Sequence, residues 1–318
     1  MSLLEIKDLC LEFGPVSQPL RAVDGVSLTI NAGETVCVVG ESGCGKSVTA
    51  LSIARLVPTP PARYVGGQIL VEGRDTLKMS NRELRDIRGG VVSYIFQEPG
   101  ASLNPVFRVG ASILETLKLH RPGQATEAEV IRLLKLVGIP APESRIKDYP
   151  HQLSGGMQQR IMIAIAVAAH PKLLIADEPT TALDVTIQAQ ILDLLRDLKS
   201  RLGMSMLLIT HNLGIVREIA DRVAVMYAGK IVEVAPAQEL LRRPWHPYTH
   251  ALRNSVPVLG SGAQRLTSIP GNVPQLNALP PGCRFHPRCP KVQDDCRSKP
   301  PELIEVEPGR WVRCPYWK

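Results

Sequence analysis

One eight-residue run carries the residue types that bind phosphate. Gly40-Glu41-Ser42-Gly43-Cys44-Gly45-Lys46-Ser47 matches G-x-x-x-x-G-K-[ST], with a strand-like run before it and a helical run after it. The glycines let the backbone curl so that successive N–H groups point at phosphate oxygens, and the following helix adds the positive end of its dipole. The pattern predicts a phosphate site in which Lys46 pairs with the β- and γ-phosphates of a nucleotide and the Ser47 hydroxyl binds Mg²⁺.

A pair of acids follows a second apolar run. Residues 173–176 are aliphatic and lead directly into Asp177 and Glu178. Carboxylates at the end of a buried strand complement a phosphate loop, because one can hold Mg²⁺ and the other can polarise the attacking water. We expect Asp177 to bind Mg²⁺, directly or through water, and Glu178 to act as general base or orienting group.

The elements that must position these residues alternate between strands and helices up to about Pro236. Short aliphatic runs at 36–39, 91–96, 173–176 and 206–210 predict strands buried on both faces, hence parallel ones. Between Val185 and Leu202 apolar residues recur at helical spacing. Two runs at 223–227 and 231–234, joined by Ala228-Gly229-Lys230, predict a hairpin. The pattern is that of an α/β fold.

Composition excludes several classes. The chain has 318 residues, 44% hydrophobic and 21% charged, with a formal net charge of +7. These values exclude a disordered polyelectrolyte, and no repeat supports a collagen or a coiled coil. No apolar run approaches the roughly 20 residues of a membrane span, and the first ten residues do not resemble a signal peptide. The charge leaves phosphorylated ligands, nucleic acid and membrane head groups open.

From Pro244 onward the amino-acid composition changes. This part holds 13 of the 27 prolines and four of the seven cysteines. So many prolines disfavour long helices and central strands. A small segment with little hydrophobic core usually needs a stabilising crosslink, such as a disulfide or a bound metal. Cys283, Cys289, Cys296 and Cys314 are therefore predicted to form a Cys₄ site. Soft thiolate ligands suit both zinc and an iron–sulfur cluster, so ligand softness does not distinguish the two. The sequence spacing of the cysteines is, however, wider than in most zinc sites.

A third motif resembles the signature of ATP-binding-cassette (ABC) ATPases: Leu153-Ser154-Gly155-Gly156-Met157-Gln158-Gln159-Arg160. Ser154 and two glycines before an apolar run predict another helix N-terminus that offers N–H groups to an anion. The resemblance implies that this second anion site contacts the ATP bound to a partner's P-loop across a head-to-tail dimer.

Other motifs of the family follow in order. Gln97 resembles the Q-loop glutamine that contacts Mg²⁺ and the attacking water. Ala182-Leu183-Asp184 resembles the D-loop, and His211 resembles the switch histidine that contacts the γ-phosphate. Phe13 stands where the family places an aromatic that stacks on adenine.

The resemblance thus implies catalytic roles for Glu178, His211 and Gln97 and Mg²⁺ ligands at Ser47, Gln97 and Asp177. Contacts to the ATP of the partner are implied for Ser154, Gly155, Gly156, Gln158 and Asp184. ATP binding is implied for Phe13, Gly40, Glu41, Ser42, Gly43, Cys44, Gly45, Lys46, Ser47 and Val48. The implied fold is a P-loop NTPase (RecA-like) ABC ATPase core, with an antiparallel β subdomain, an α-helical subdomain and a small Cys/Pro-rich C-terminal extension.

The C-terminal part resembles the extension of dipeptide and oligopeptide permease ATPases, through Pro244-Trp245-His246-Pro247-Tyr248-Thr249 and the cysteines that follow. Some members of that family bind a [4Fe–4S] cluster through four such cysteines, and zinc stays the alternative. We expect residues 1–240 to form the nucleotide-binding domain, with its helical subdomain at about 100–165, and 241–318 to form the extension with the Cys₄ site.

The resemblance implies an ATPase that energises import of di- or oligopeptides at the cytoplasmic face of the cell membrane. Its implied partners are a paralogous ATPase in a heterodimer, two transmembrane permease subunits and an extracytoplasmic solute-binding protein, with no nucleic acid. An importer of nickel or another small solute remains an alternative. A nucleic-acid-associated ABC ATPase is disfavoured, because only about a hundred residues without heptads separate Ser47 from Ser154.

Overall fold

The computed structural model describes residues 2–181, 183–255 and 269–317. Its strands are β1 (Ser2–Phe13), β2 (Leu20–Asn31), β3 (Thr35–Val39), β4 (Arg63–Val71), β5 (Arg74–Asp75), β6 (Val92–Ile95), β7 (Leu173–Asp177), β8 (Ser205–Thr210), β9 (Arg222–Tyr227), β10 (Lys230–Pro236), β11 (Ile304–Glu307) and β12 (Arg310–Val312). Its helices are α1 (Lys46–Ser52), α2 (Asn81–Ile87), α3 (Pro99–Ser102), α4 (Val109–His120), α5 (Glu127–Leu136), α6 (Pro142–Arg145), α7 (Gly155–Ala168), α8 (Val185–Leu202), α9 (Leu213–Ile219), α10 (Ala237–Arg242) and α11 (Pro247–Asn254).

Contacts divide the chain into two compact units. The helical unit consists of Asn31–Glu34 and Lys78–Leu208, and the P-loop unit consists of Ser2–Ile30, Thr35–Leu77 and the described residues from Ile209 onward. The fold is mixed α/β, as the sequence predicts.

In the P-loop unit, one sheet has the order β2-β1-β4-β5, with β4 antiparallel to β1 and to β5. A second group of strands has the order β11-β12-β10-β9-β3. All five residues of β3 are buried, and β3 runs parallel to β9. The predicted parallel strand at 36–39 is therefore confirmed.

The predicted hairpin is also confirmed, with a tighter turn. Tyr227 pairs with Lys230, so only Ala228 and Gly229 form the loop. Both have positive φ, 43° and 83°. A two-residue turn of this kind matches the right-handed twist of the flanking strands.

In the helical unit, β8, β7 and β6 are neighbours in that order, and β6 runs parallel to β7. The 14-residue helix α7 contacts α3, α4, α5 and β6. It is apolar on most of its surface, because Ile161, Ile163, Ala164 and Val167 are all fully buried or nearly so. A helix that is apolar all round belongs in a core.

Within residues 244–255 and 269–317, the elements of the C-terminal part are all short, as the prolines predict. Helix α11 has 8 residues, and β11 and β12 are short strands beyond β10. Two 3₁₀ turns, His286–Arg288 and Asp294–Arg297, carry the chain past Cys289 and Cys296. Across the described ranges, no helix is long and apolar enough to span a bilayer.

Candidate functional site

The predicted phosphate loop joins β3 to α1 in the P-loop unit. Gly45 precedes α1 with φ +105°, and a Cβ there would lie 2.7 Å from the carbonyl oxygen of Ala22. Only glycine combines that conformation with such a close approach. Ser47 and Val48 lie in the first turn of α1 and are half-buried, whereas Ser42 and Gly43 are exposed at the loop tip. The loop thus has the strand–turn–helix setting that a phosphate cradle requires.

Lys46 folds back over the loop. Its ammonium Nζ donates to the carbonyl oxygens of Gly40 at 2.9 Å and Glu41 at 3.0 Å, and the side chain is buried. Cys44 lies beneath the same loop, 1% exposed. Burial raises the pKa of the Cys44 thiol above its usual range, and the neighbouring Lys46 opposes this only in part. A cation already surrounded by the loop is placed to meet a phosphate that enters it.

Glu41 is held by two residues from the C-terminal part. Its backbone N–H donates to the hydroxyl of Tyr248 at 2.9 Å. Its carboxylate receives two hydrogen bonds from the Arg288 guanidinium, Nη1 to Oε2 at 2.8 Å and Nη2 to Oε1 at 3.0 Å. Burial lowers the pKa of Arg288, but these hydrogen bonds help raise that pKa above its usual range. Sequence reasoning did not find either partner, because each lies more than 200 positions from Glu41.

Two further predicted residues belong to the P-loop unit. Phe13 is the last residue of β1 and is half-buried. His211 follows β8 directly and is exposed. Both stay predictions as ligands of a nucleotide.

The helical unit brings Gln97 and Glu178 together. Gln97 follows β6, Asp177 ends β7 and Glu178 comes next. Because β6 and β7 are parallel neighbours, their carboxyl ends meet, and Gln97 Nε2 donates to Glu178 Oε2 at 3.3 Å. Thr181 Oγ1 donates to the same oxygen at 2.9 Å. Glu178 has φ +46°, a conformation that costs a residue with a side chain free energy and is concentrated at functional sites.

The predicted signature and D-loop also meet in the helical unit. Ser154 caps α7, since its Oγ accepts from the backbone N–H of Met157, and Asp184 caps α8 through the N–H of Ile187. A Cβ on Gly156 would lie 3.2 Å from Ile187, so the two helix starts are adjacent.

Three details complete this region. Gly155 is the first residue of α7 and is exposed. Gln158 anchors the preceding turn by donating to the carbonyl oxygens of Pro150 and Leu153. Ala182 of the predicted D-loop lies outside the described residues.

The four C-terminal cysteines line one cavity of about 210 Å³ in the P-loop unit. Cys283 N–H donates to the carbonyl oxygen of Cys296 at 2.8 Å, which connects the turns that carry these two cysteines. Burial raises the pKa of Cys314 to about 11, and the other three cysteines act in the same direction. The four cysteines therefore lie near one another.

A ready-made site for one metal ion is not present there. In the parts of the chain that the structure describes, no three His, Cys, Asp or Glu side chains are grouped so that they could hold a metal ion. The expected Cys₄ metal site thus finds no support in the geometry of its thiols, whether as zinc or as a cluster. The presence of a metal stays a prediction.

Two family models match the chain. The model described as "ABC transporter" matches residues 23–181. The model described as "Oligopeptide/dipeptide transporter, C-terminal region" matches residues 232–296.

Similar proteins span nearly the whole chain. An oligopeptide transport ATP-binding protein, AppD, of Bacillus subtilis is 50% identical over 315 residues, 98% of this chain and 96% of the relative. The dipeptide transport ATP-binding protein DppD of Escherichia coli is 47% identical over 318 residues, 99% of this chain and 97% of the relative. Among solved structures, the dimeric ATP-binding cassette MJ0796 bound to ADP and Pi is similar with a TM-score of 0.65 and 26% identity. The match covers 74% of this chain and 98% of that one.

Proposed function

Because the chain belongs to the ABC transporter family, we propose that it is the ATP-hydrolysing subunit of an importer of di- or oligopeptides. The observation that carries this proposal is the 50% sequence identity to a relative named for oligopeptide transport. The alignment covers 98% of this chain. The phosphate loop, the acids after β7 and the signature helix supply the parts that such hydrolysis requires.

Each site residue has a proposed role. Lys46 pairs with the β- and γ-phosphates, and the backbone N–H groups of residues 40–48 bind the rest of the triphosphate, while Phe13 stacks on adenine. Glu178 orients or deprotonates the attacking water, with Gln97 holding its carboxylate and His211 contacting the γ-phosphate. The hydrogen bond between Gln97 and Glu178 supports this pairing.

Mg²⁺ suits the proposed donor set. The Ser47 hydroxyl, the Asp177 carboxylate and the Gln97 amide oxygen are hard oxygen donors, the kind that Mg²⁺ prefers. When bound, the ion neutralises charge on the phosphate oxygens. Ser47 and Gln97 would also orient the nucleotide and the water.

We further infer that hydrolysis takes place in a head-to-tail dimer. Ser154, Gly155, Gly156, Gln158 and Asp184 would contact the ATP on the partner's P-loop. Two capped helix starts lie side by side there, which supports an anion site. The similar MJ0796 cassette is a dimer. In the importer, we propose a paralogous ATPase as the second half.

The remaining partners follow from the proposed transport role. Two transmembrane permease subunits would form the channel, a solute-binding protein would deliver peptides, and this subunit would be peripheral at the cytoplasmic face of the membrane. ATP-driven closure of the dimer would be transmitted to the permeases. Residues 1–240 would form the nucleotide-binding domain, with a helical subdomain at about 100–165, and 241–318 the extension, which agrees with the C-terminal match at 232–296.

We propose that the cavity lined by the four cysteines holds a [4Fe–4S] cluster, with zinc as the alternative. The observation in favour is that all four cysteines line this one cavity. Cys283, Cys289, Cys296 and Cys314 would hold it after losing their protons. We propose a structural role, as a staple for the proline-rich extension.

The decisive experiment is purification with the neighbouring permeases and binding protein, followed by ATPase assays with candidate solutes. Stimulation by di- or oligopeptides and not by Ni²⁺ supports the proposal. Stimulation by Ni²⁺ alone would instead favour the small-solute importer, and ATPase activity stimulated by DNA would favour the nucleic-acid class.

A further inference from the structure

The ion pair between Glu41 and Arg288 is not explained by the sequence motifs, because Arg288 belongs to none of them. Arg288 grips the Glu41 carboxylate with both ends of its guanidinium, and its side chain is only 5% exposed. Bidentate Arg–carboxylate pairs are among the stronger and more directional polar contacts in proteins. Such a pair, with the Glu41 side chain 28% exposed, restricts the positions of both side chains.

Arg288 itself is rigidly held. Its Nε donates to the carbonyl oxygen of Pro270 at 2.7 Å, and its Nη1 lies 3.4 Å from the hydroxyl of Tyr227. The guanidinium also lies over the Tyr227 ring, 5.8 Å from its centroid. Tyr227 is buried at the end of β9, so Arg288 is anchored to the same strand that pairs with β3. The arginine is therefore a fixed support and not a mobile surface side chain.

Tyr248 holds the main chain of the same loop residue. Its hydroxyl accepts from the backbone N–H of Glu41, and the residue is fully buried. Its ring contacts Tyr227 at 4.6 Å and Phe285 at 5.3 Å between centroids. The aromatic cluster of Tyr227, Tyr248 and Phe285 therefore holds Glu41 at its backbone and, through Arg288, at its side chain.

The contacts matter because Glu41 is the acidic residue of the phosphate loop. Between Gly40 and Val48 it is the one carboxylate, and the proposed ligand is a polyanion. Like charges within the Debye length, about 8 Å at physiological salt, repel each other appreciably. Glu41 is the second residue of the loop that we propose binds the triphosphate, so its charge would oppose that ligand. Arg288 neutralises the carboxylate through its two hydrogen bonds.

The contacts of the loop carbonyl groups also indicate that Arg288 and Tyr248 support the start of the phosphate loop. In the present arrangement Lys46 binds the carbonyl oxygens of Gly40 and Glu41. When Lys46 turns to a phosphate, these carbonyls lose that partner, and the loop start depends more on its other contacts. Arg288 and Tyr248 supply those contacts.

We propose that Arg288 is a positioning residue of the ATP site: it neutralises and orients Glu41 and so sets the start of the phosphate loop for nucleotide binding. This inference rests on the proposed function, because it assumes that ATP binds at residues 40–48. It makes the C-terminal extension a working part of the nucleotide site.

A double-mutant cycle on the full chain tests it. The dissociation constant of Mg-ATP is measured for wild type, Arg288→Ala, Glu41→Gln and the double variant. Arg288→Ala leaves a bare carboxylate beside the phosphates, so we expect affinity to fall about tenfold, the scale of one charge-assisted hydrogen bond. In the Glu41→Gln background there is no charge to neutralise, and the same substitution should change affinity by less than about threefold.

Two controls separate positioning from general damage. Arg297→Ala removes an exposed arginine that also adjoins one of the four cysteines, and should bind Mg-ATP as wild type does. Arg288→Lys keeps the positive charge but cannot form the two parallel hydrogen bonds of a guanidinium, so it should give an intermediate affinity for Mg-ATP. Thermal unfolding and iron content are recorded for each variant, so that a loss of fold or cluster is seen directly.

The outcomes distinguish the two proposals. Wild-type affinity in Arg288→Ala, or an equal loss with and without Glu41, would overturn the role of Arg288. Lys46→Ala is measured in parallel. If Lys46→Ala binds Mg-ATP as tightly as wild type, the proposed ATP site itself is wrong; if it loses binding while Arg288→Ala does not, only the present inference fails.

Discussion

Gln97 Nε2 donates a hydrogen bond to Glu178 Oε2 at 3.3 Å, joining the residues that follow two parallel strands. Thr181 Oγ1 donates to the same carboxylate oxygen at 2.9 Å. Two donors on one oxygen fix the direction of the carboxylate, as a group that orients water needs.

Replacing Glu178 by Gln should leave the fold intact and nearly abolish hydrolysis. Glutamine has the same shape and still accepts from Gln97, but it cannot take a proton. We expect turnover to fall by about 10²-fold or more, with ATP trapped in a closed dimer. Phosphate release by the assembled transporter measures this.

The matched control is Glu127→Gln, which alters an exposed carboxylate at the start of α5. It should keep wild-type turnover. Near-normal hydrolysis in Glu178→Gln would refute the role of this carboxylate, provided that the site on the second ATPase subunit has been inactivated.

Alkylation of Cys44 should be slow and should abolish ATP binding once it occurs. The thiol is 1% exposed, and burial raises its pKa, so little reactive thiolate forms at neutral pH. The half-exposed Cys10 should react faster, and the rate at Cys44 should rise with pH beyond the range of an ordinary thiol. Mass spectrometry gives the rates. Intact ATPase activity with Cys44 fully modified would contradict the expected crowding of the loop.

Much of the site could be predicted because its signals are local. The glycines, Lys46 and Ser47 are contiguous, and the strand and helix around them show their own periodicity, so the loop and its setting follow from one short stretch. The helix predicted between Val185 and Leu202 coincides with α8 for the same reason. Ile191, Leu195 and Leu198 repeat at helical spacing, and all three are buried.

The support of Glu41 could not be predicted. Arg288 is one of many arginines in a proline-rich segment, and its partner is 247 positions away. No periodicity or spacing links them. Likewise, four cysteines suggest a ligand set, but their distances depend on how the turns at 286–288 and 294–297 fold. Long-range contacts of this kind are determined by packing and not by local pattern.

His246 predicts a pH dependence of stability. It is 2% exposed, its Nδ1 accepts from the backbone N–H of Tyr248, and burial together with Arg313 lowers its pKa to about 3. In the unfolded chain the pKa is near 6.5. Between these values the unfolded state binds the extra proton, so stability should fall as pH drops from about 6.5 towards 3, by up to ~1.4 kcal/mol per unit.

Denaturant unfolding at several pH values measures this slope. His246→Asn keeps an acceptor for the Tyr248 N–H without a titrating group, and should flatten the curve between pH 6.5 and 5. A variant with the wild-type slope would show that other groups cause the dependence.

The metal content of the extension is directly measurable. Protein purified anaerobically should be brown and contain iron and acid-labile sulfide at about four of each per chain. Cys296→Ser should lose the colour, whereas Cys10→Ser should keep it, because Cys10 is remote in sequence from the cavity and does not line it. Stoichiometric zinc without iron would contradict the cluster.

The contact between Glu41 and Arg288 also bears on how the subunit is made. Ribosomes synthesise chains from the N-terminus, so the phosphate loop emerges first and its arginine 247 residues later. At ~5–20 residues per second this delay is on the order of 10–50 s. During that interval the nascent loop lacks its support. A growing chain would therefore gain full affinity for nucleotide only late in translation, which would limit futile ATP consumption by unfinished subunits.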